Sequence, residues 1–314
     1  MRRIAMSVAV VFAAASLAFV LVHLAPGDVG TALGEGVSPE MRAAVRARYG
    51  LNDSLATQYG RWMLALLRGE FGWSPNQRRP VAAIIAEALP RSLLLMGAAL
   101  AISVAVGSAI GAWQGARVGS RRDRVSAVVL LVLYSLPEFW LALALMTVFA
   151  HQLGWLPATG ITGDLYAYQS SGAQLADRLR HLVLPLTALS LVGIAVFARY
   201  QRIAMQESMT QPFVQTARAK GLTETAVRRQ AWRTALLPVI TIAGLLLPAL
   251  VTGAVFVERV FAWPGMGFTL IRAIEARDVA VVSACVIVGS AATALGAALA
   301  DILRDLADPR LRDA

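Results

Sequence analysis

Glu138 is the one acidic residue that sits well inside a long apolar run, and it follows Pro137 directly. An ionisable group at such a position is costly unless it is paired, which marks it as a candidate functional group. A proline at 137 removes a helical N–H and would leave the carbonyl of Leu133 free. A carboxylate beside a free carbonyl could meet an ammonium group, a basic side chain or a metal cation, and Ser135 completes this candidate set. The plain alternative is a structural pair with a charge on a neighbouring chain, or a wet gap that reads nothing. No other constellation offers chemistry. His23, His151 and His181 are scattered at the ends of apolar runs, too far apart in sequence for a predictable metal site. The lone Cys285 lies inside an apolar run, where packing is its natural role. There is no nucleophile with a base and no paired carboxylates, so no catalytic and no metal-binding residue is assigned. The phosphate-cradling pattern Gly-x4-Gly-Lys-Ser/Thr is absent, and at Lys220-Gly221 the order is reversed.

The elements that would hold Glu138 are membrane spans. Of the 314 residues 57% are hydrophobic and only 15% charged, where a soluble domain carries about 25% charged residues. Six segments reach the ~20 apolar residues a bilayer requires: 4–24, 92–116, 126–150, 182–201, 236–257 and 280–302. Counted from Arg124, Glu138 would lie about 20 Å deep. The first segment follows Met1-Arg2-Arg3 like a secretory signal, but its length and the lack of a small-x-small site predict an uncleaved span. A net charge of +10 could suggest nucleic acid, yet the basic residues interrupt spans instead of lining one face, so no nucleic-acid partner is expected. With the N-terminus in the cytoplasm, the inside receives Arg2, Arg3, Arg117, Arg121, Arg122, Arg124, the seven Lys and Arg from Arg199 to Arg233, Arg304, Arg310 and Arg312. The two short outer loops hold only Arg178, Arg180, Arg259, Arg272 and Arg277. Both termini are therefore predicted to be cytoplasmic.

Residues 25–91 form a long external loop with amphipathic stretches. Ser38-Pro39-Glu40 reads as a helix start with a helix over 41–49; a second is expected at 59–67 ending at Gly69, and a third at 80–89 leading into the next span. These helices could form a scoop over the outer face, or simply lie in the interface. Trp62, Trp73, Trp155 and Trp263 fit an aromatic belt, and Asp301 could pair with Arg304.

The stretch 207–235 is the most informative loop. Pro212 fits a helix start, Phe213 to Lys220 a short helix, and Gly221 its left-handed cap; Thr223 and Ala226 begin the next helix, with Pro238 at the bilayer entry. A short helix fixed at both ends is a mechanical handle that can fill a partner's groove. The positive charges could also do no more than set topology.

These residues resemble the ATPase-coupling loop of ABC importer permeases. Gln215-Thr216-Ala217 stands in the slots of a Glu-Ala-Ala pattern, Arg218-Ala219-Lys220-Gly221 follows, and Leu237-Pro238 supplies the later Leu-Pro. The oligopeptide/dipeptide/nickel branch reads similarly, and this chain departs from it at Gln215. The resemblance runs in order along nearly the whole chain, through His23 to Asp28, Gly50-Leu51-Asn52, Phe71 to Ser74, Ser135-Leu136-Pro137 with Phe139-Trp140, Gly154 to Ala158, Phe256-Val257-Glu258, Phe261 to Gly267, Ala276-Arg277-Asp278 and Asp308 to Arg312, while Glu138 departs from the small or polar residue the family more often has there. It implies an all-α, six-helix, type I ABC importer permease fold: a first transmembrane helix at 1–24, the external loop at 25–91 and a five-helix core at 92–314. It implies half of a translocation pathway in a bacterial or archaeal inner membrane. The implied partners are a second, homologous permease, two cytoplasmic ATPase subunits and an external solute-binding protein. ATP and magnesium would be bound by those ATPases, with no cofactor in this chain. The implied cargo is a di- or oligopeptide, with nickel or another small solute as the alternative. An ion-coupled secondary transporter would want several interior ionisable groups or paired broken helices, and a membrane hydrolase a catalytic set.

Overall fold

The computed structural model describes residues 2–24, 40 and 53–307. The turn at 25–28, the expected helix over 41–49, Gly50-Leu51-Asn52 and the tail at 308–312 lie outside the described residues, as do the side chains of His23, Asp301 and Arg304. In chain order the elements are α1 (Arg2–Leu24), α2 (Leu55–Leu67), β1 (Trp73–Ser74), β2 (Arg79–Pro80), α3 (Val81–Gly115), α4 (Arg121–Ser135) and α5 (Glu138–Leu145). A π-helical stretch, Met146–Gln152, extends α5, and a 3-10 turn follows at Tyr166–Tyr168. Then come α6 (Ser171–Thr210), α7 (Pro212–Ala219), α8 (Glu224–Leu245), α9 (Ala249–Thr252), α10 (Val255–Val260), α11 (Met266–Glu275) and α12 (Val279–Ala307).

Among the described residues, α3, α6 and the stretch Val279–Leu299 of α12 are long and apolar enough to cross a membrane. Two further candidates are bent pairs, Arg121–Ser135 with Glu138–Gln152 at 100° and Glu224–Leu245 with Ala249–Val260 at 41°. The segments expected over 126–150, with a kink at Pro137, and over 236–257 are thus broken. At the first break Leu136 and Pro137 are both extended, with ψ of 132° and 134°. Proline has no N–H to continue α4 and pushes the residue before it out of the helical region. At the second, Pro248 starts α9 and Gly253, at φ +78°, ends it. By contrast α3 and α6 run through Pro90 and Pro185, and α3 joins the short helix expected at 80–89 to the apolar segment after it.

The chain falls into two compact units, Met1–Leu89 with Thr269–Ala294, and Pro90–Phe268 with Leu295–Ala314. In the first, Phe19 of α1 meets Tyr59 and Trp62 of α2 with ring centroids 5.2 and 5.5 Å apart. The Ser16 and Tyr59 hydroxyls hydrogen-bond at 2.7 Å. The β1–β2 ribbon is tied to the turn before α12: Ser74 donates to the buried Asp278 carboxylate, and Asn76 Nδ2 donates to the Ala276 carbonyl at 2.9 Å. Asp278 also accepts the Val281 amide at 3.3 Å, so it caps α12.

In the second unit α6 is the central rod. Gly107, Gly111 and Gly115 lie one turn apart on one face of α3 and let its backbone rest on α6. A Cβ on Gly107 would stand 2.9 Å from the Ile194 carbonyl, one on Gly111 2.7 Å from Gln201 Cβ, and one on Gly115 2.7 Å from the Arg202 carbonyl. Small residues at this spacing permit close helix approach where lipid offers no hydrophobic drive to associate. Leu95 and Ala99 of α3, Ala142 of α5, Leu184 and Ala188 of α6, and Val257, Phe261 and Trp263 form the apolar core. At the start of α4, Asp123 is buried and accepts from Arg202 Nε and Nη2, each at 3.0 Å, and from the Gly119 amide at 3.0 Å. A forked guanidinium on a buried carboxylate is a strong, directional bond.

Gly111→Val should cost about 1–3 kcal/mol through overpacking against α6. Gly97→Ala, whose added methyl meets nothing within 4 Å, should be neutral or stabilising by about 0.5–1 kcal/mol. Thermal unfolding of the detergent-solubilised chain measures both.

Candidate functional site

The predicted handle is α7. Gln211 is extended at ψ 150°, Pro212 occupies the first helical position, and the helix closes at Lys220. Gly221 has φ +77°; its N–H donates to the Arg218 carbonyl at 2.9 Å and the Leu222 N–H to the Ala217 carbonyl at 3.2 Å. This crossed pair is a Schellman termination, which requires the left-handed conformation glycine adopts without strain. Two residues on, Thr223 caps α8 by accepting the Ala226 amide at 3.4 Å. The reversal between α7 and α8 is therefore satisfied by its own backbone.

One face of α7 belongs to this chain's interior. Val214 and Ala217 are buried with Ala204 and Met205 of α6 and Val227, Ala231 and Ala235 of α8. Ser208 of α6 donates to the Ala231 carbonyl at 2.8 Å, locking α6 to α8 beneath it. Ala217 thus faces inward, while Gln215, Thr216, Arg218, Ala219, Lys220 and Gly221 are exposed. Arg218 Nε donates to Glu224 at 2.8 Å across the turn. That hydrogen bond holds the Glu224 carboxyl below its ordinary range, so the contact contributes fully above the ordinary range and is lost as pH falls through the lowered value. Leu237 and Pro238 are not part of this cluster. They lie within α8, about 20 Å along the axis from its first turn.

The break after α4 holds the other candidates. Ser135 Oγ donates to the Leu131 carbonyl at 2.8 Å, so its hydroxyl proton is already used. Pro137 is exposed, and Glu138 is half-buried in the first turn of α5. The expected kink within one helix is instead a helix end, so the Leu133 carbonyl belongs to the free C-terminal group of α4. Glu138 stands at the positive end of the α5 dipole. His181 is buried with its Nδ1 2.8 Å from the Asp177 carbonyl, whereas His151 is exposed on the π-helical stretch.

The residue that sequence reasoning passed over is Glu258 of α10, which is fully buried. Ser92 Oγ donates to its Oε1 at 2.6 Å, and the Phe268 amide donates to its Oε2 at 2.9 Å. Ser92 in turn accepts the Met266 amide at 2.7 Å, and Trp263 Nε1 donates to the Arg91 carbonyl at 3.1 Å. The carboxylate and the serine thus take up amides at the start of α11 that no helical carbonyl can reach. The turn Trp263 to Gly267 is wound around the carboxylate. A Cβ on Gly253 would stand 2.6 Å from Oε1 and one on Gly267 3.1 Å from Oε2.

Among the described residues, apolar helices of membrane-crossing length, two of them jointed near a proline, define a multi-span membrane protein. Residues 106–313 match the family described as binding-protein-dependent transport system inner membrane component, and residues 1–96 match its N-terminal family. The chain belongs to this family of transporter permeases. It is 33% identical over 316 residues to the oligopeptide transport system permease protein AppB of Bacillus subtilis, covering 99% of this chain and 98% of the relative. A peptide transport system permease protein of Brucella abortus is 36% identical over 315 residues, with 99% and 98% covered. The dipeptide transport system permease protein DppB of Alkalihalophilus pseudofirmus is 32% identical over 327 residues, again with 99% and 98% covered.

Glu258→Ala should remove the carboxylate that accepts from the Ser92 hydroxyl and the Phe268 amide, at about 1–3 kcal/mol for a buried group that loses its partner. A lower melting temperature together with faster proteolysis within 261–268 is the expected result, and Glu258→Gln should fall between the variant and the parent.

Proposed function

We propose that this chain forms half of the translocation pathway of an ATP-driven importer of di- or oligopeptides in a bacterial or archaeal cytoplasmic membrane. It spans the bilayer six times with both termini in the cytoplasm, counting α1, α3, the two bent pairs, α6 and α12. Its companions are a second, homologous permease, two ATPases that bind ATP and magnesium, and an external protein that delivers the cargo. The names of the relatives support peptides over nickel or another small solute. The domain division 1–24, 25–91 and 92–314 belongs to the same reading.

The observation that carries it is α7: a short helix pinned on one face, capped by a positive-φ glycine, and presenting Thr216, Ala219 and Lys220 outward. In this reading α7 docks in a groove of an ATPase, and nucleotide-driven motion reaches the spans through α6 and α8. Ala217 supports the handle from beneath. Ser135, Pro137 and Glu138 lie along the pathway, with Glu138 placed to meet a cationic or free-amino group.

Gly221→Val keeps every packing contact, since nothing lies within 4 Å of the added Cβ, but strains the cap by about 1–2 kcal/mol. The reconstituted complex should assemble and bind its external partner, yet lose cargo-stimulated ATP hydrolysis and uptake together. Ala219→Asp should act at the docking face alone, whereas Ala217→Asp should destabilise the loop. Full coupled transport by both Gly221→Val and Ala219→Asp would sink the assignment. Glu138→Gln should reduce uptake of cationic peptides while leaving basal ATP hydrolysis intact; unchanged uptake of every peptide tested would remove Glu138 from the pathway.

A further inference from the structure

A cavity of about 210 Å³ opens between α4 and α6, away from α7 and from the Glu258 turn. From α4 it is lined by Ala127, Leu130, Leu131 and Tyr134, one stripe at helical spacing, from α6 by Ala195, Arg199 and Arg202, and from α3 by Gln114. Leu131 and Tyr134 are exposed, and so are Val125, Val128, Val129 and Val132 on the rest of α4. The cavity therefore opens onto an apolar helix surface of the kind that faces acyl chains.

Its charge is unbalanced. Arg202 is neutralised by the forked bond to Asp123. Arg199, one turn away on α6, has no acidic partner among the described residues; its guanidinium lies 5.8 Å from the centre of the Tyr134 ring. An exposed arginine at the mouth of an apolar groove, stacked on an aromatic ring and with no carboxylate beside it among the described residues, offers its charge to an anion. We infer that this groove binds an anionic phospholipid of the cytoplasmic leaflet, its phosphate on Arg199 and its acyl chain against Leu130 and Leu131. The choice of leaflet rests on the orientation proposed above. The groove's apolar walls fit a chain-bearing ligand, whereas free phosphate would leave them uncovered.

The full-length chain, purified with its co-expressed partners and stripped of lipid, is equilibrated with vesicles of phosphatidylcholine containing a minor fraction of phosphatidylglycerol. Retained lipid is counted by mass spectrometry. The parent should retain phosphatidylglycerol preferentially, and Arg199→Gln should lower that preference about fivefold, the share expected for one basic residue at a membrane surface. Arg199→Lys should keep most of it. Leu131→Trp, which fills the groove with all charges in place, should remove the same lipid. Unchanged retention in Arg199→Gln and Leu131→Trp overturns the inference. So does full competition by soluble glycerol phosphate, which would make the site one for free phosphate. Shielding of Leu131→Cys from a lipid-soluble maleimide only when the partner chains are present would make the groove a protein interface, and also overturns it. Because bound lipid is read rather than uptake, a failure of the import reading leaves this outcome separately visible.

Discussion

The contact on which the larger unit depends is backbone against backbone, where three glycines of α3 rest on α6. Between helices in lipid there is no water to expel, so association relies on close packing. At Gly107, Gly111 and Gly115 the neighbouring atoms of α6 stand where a side chain would have to go. With α3 fixed on α6, Leu95 and Ala99 of α3 reach the same core as Leu184, Val257 and Phe261. The placement of Ser92, and through it of the Glu258 turn, follows from that arrangement.

A second rule recurs at three places. Asp123, Asp278 and Glu258 are all buried carboxylates, and each accepts backbone amides at or next to the start of a helix, those of Gly119, Val281 and Phe268. The first amides of a helix have no internal acceptor, and in a membrane water cannot supply one. These three carboxylates thus do structural work at helix starts. Glu138 also opens a helix but is only half-buried, and among the described residues no such set of donors surrounds it.

Much of this was legible in the sequence where a single residue type is demanding. Proline at 212 and glycine at 221 placed both ends of α7 to within a residue, because few residues begin a helix without an N–H or end it at positive φ. Proline at 137 was less informative, since the same residue kinks some helices, as at 90 and 185, and ends others; neighbouring packing decides which. Glu258 was invisible for a different reason. Its partner Ser92 is 166 residues away, and hydropathy places the glutamate at the edge of an apolar run, where a charge excites no notice. The direction Ala217 faces could not be read either, because a short helix with small residues on two sides looks alike from both. The Gly107, Gly111, Gly115 spacing was a readable sign of close helix contact that went unused.

The 40 residues of α6 form one helix from Ser171 to Thr210, about 60 Å long. Its neighbours α4–α5 and α8–α10 each contain a joint. Stiffness is therefore unevenly shared: a tilt of about 5° at the α7 end carries the far end of a rod that long through about 5 Å. On the import reading proposed above, the chain next to it would take up such a stroke by rotating at Leu136-Pro137 and at Leu246 to Pro248. The proline joints would then be the compliant couplings of a lever, and their positions along the chain would set where that stroke turns into a change of shape.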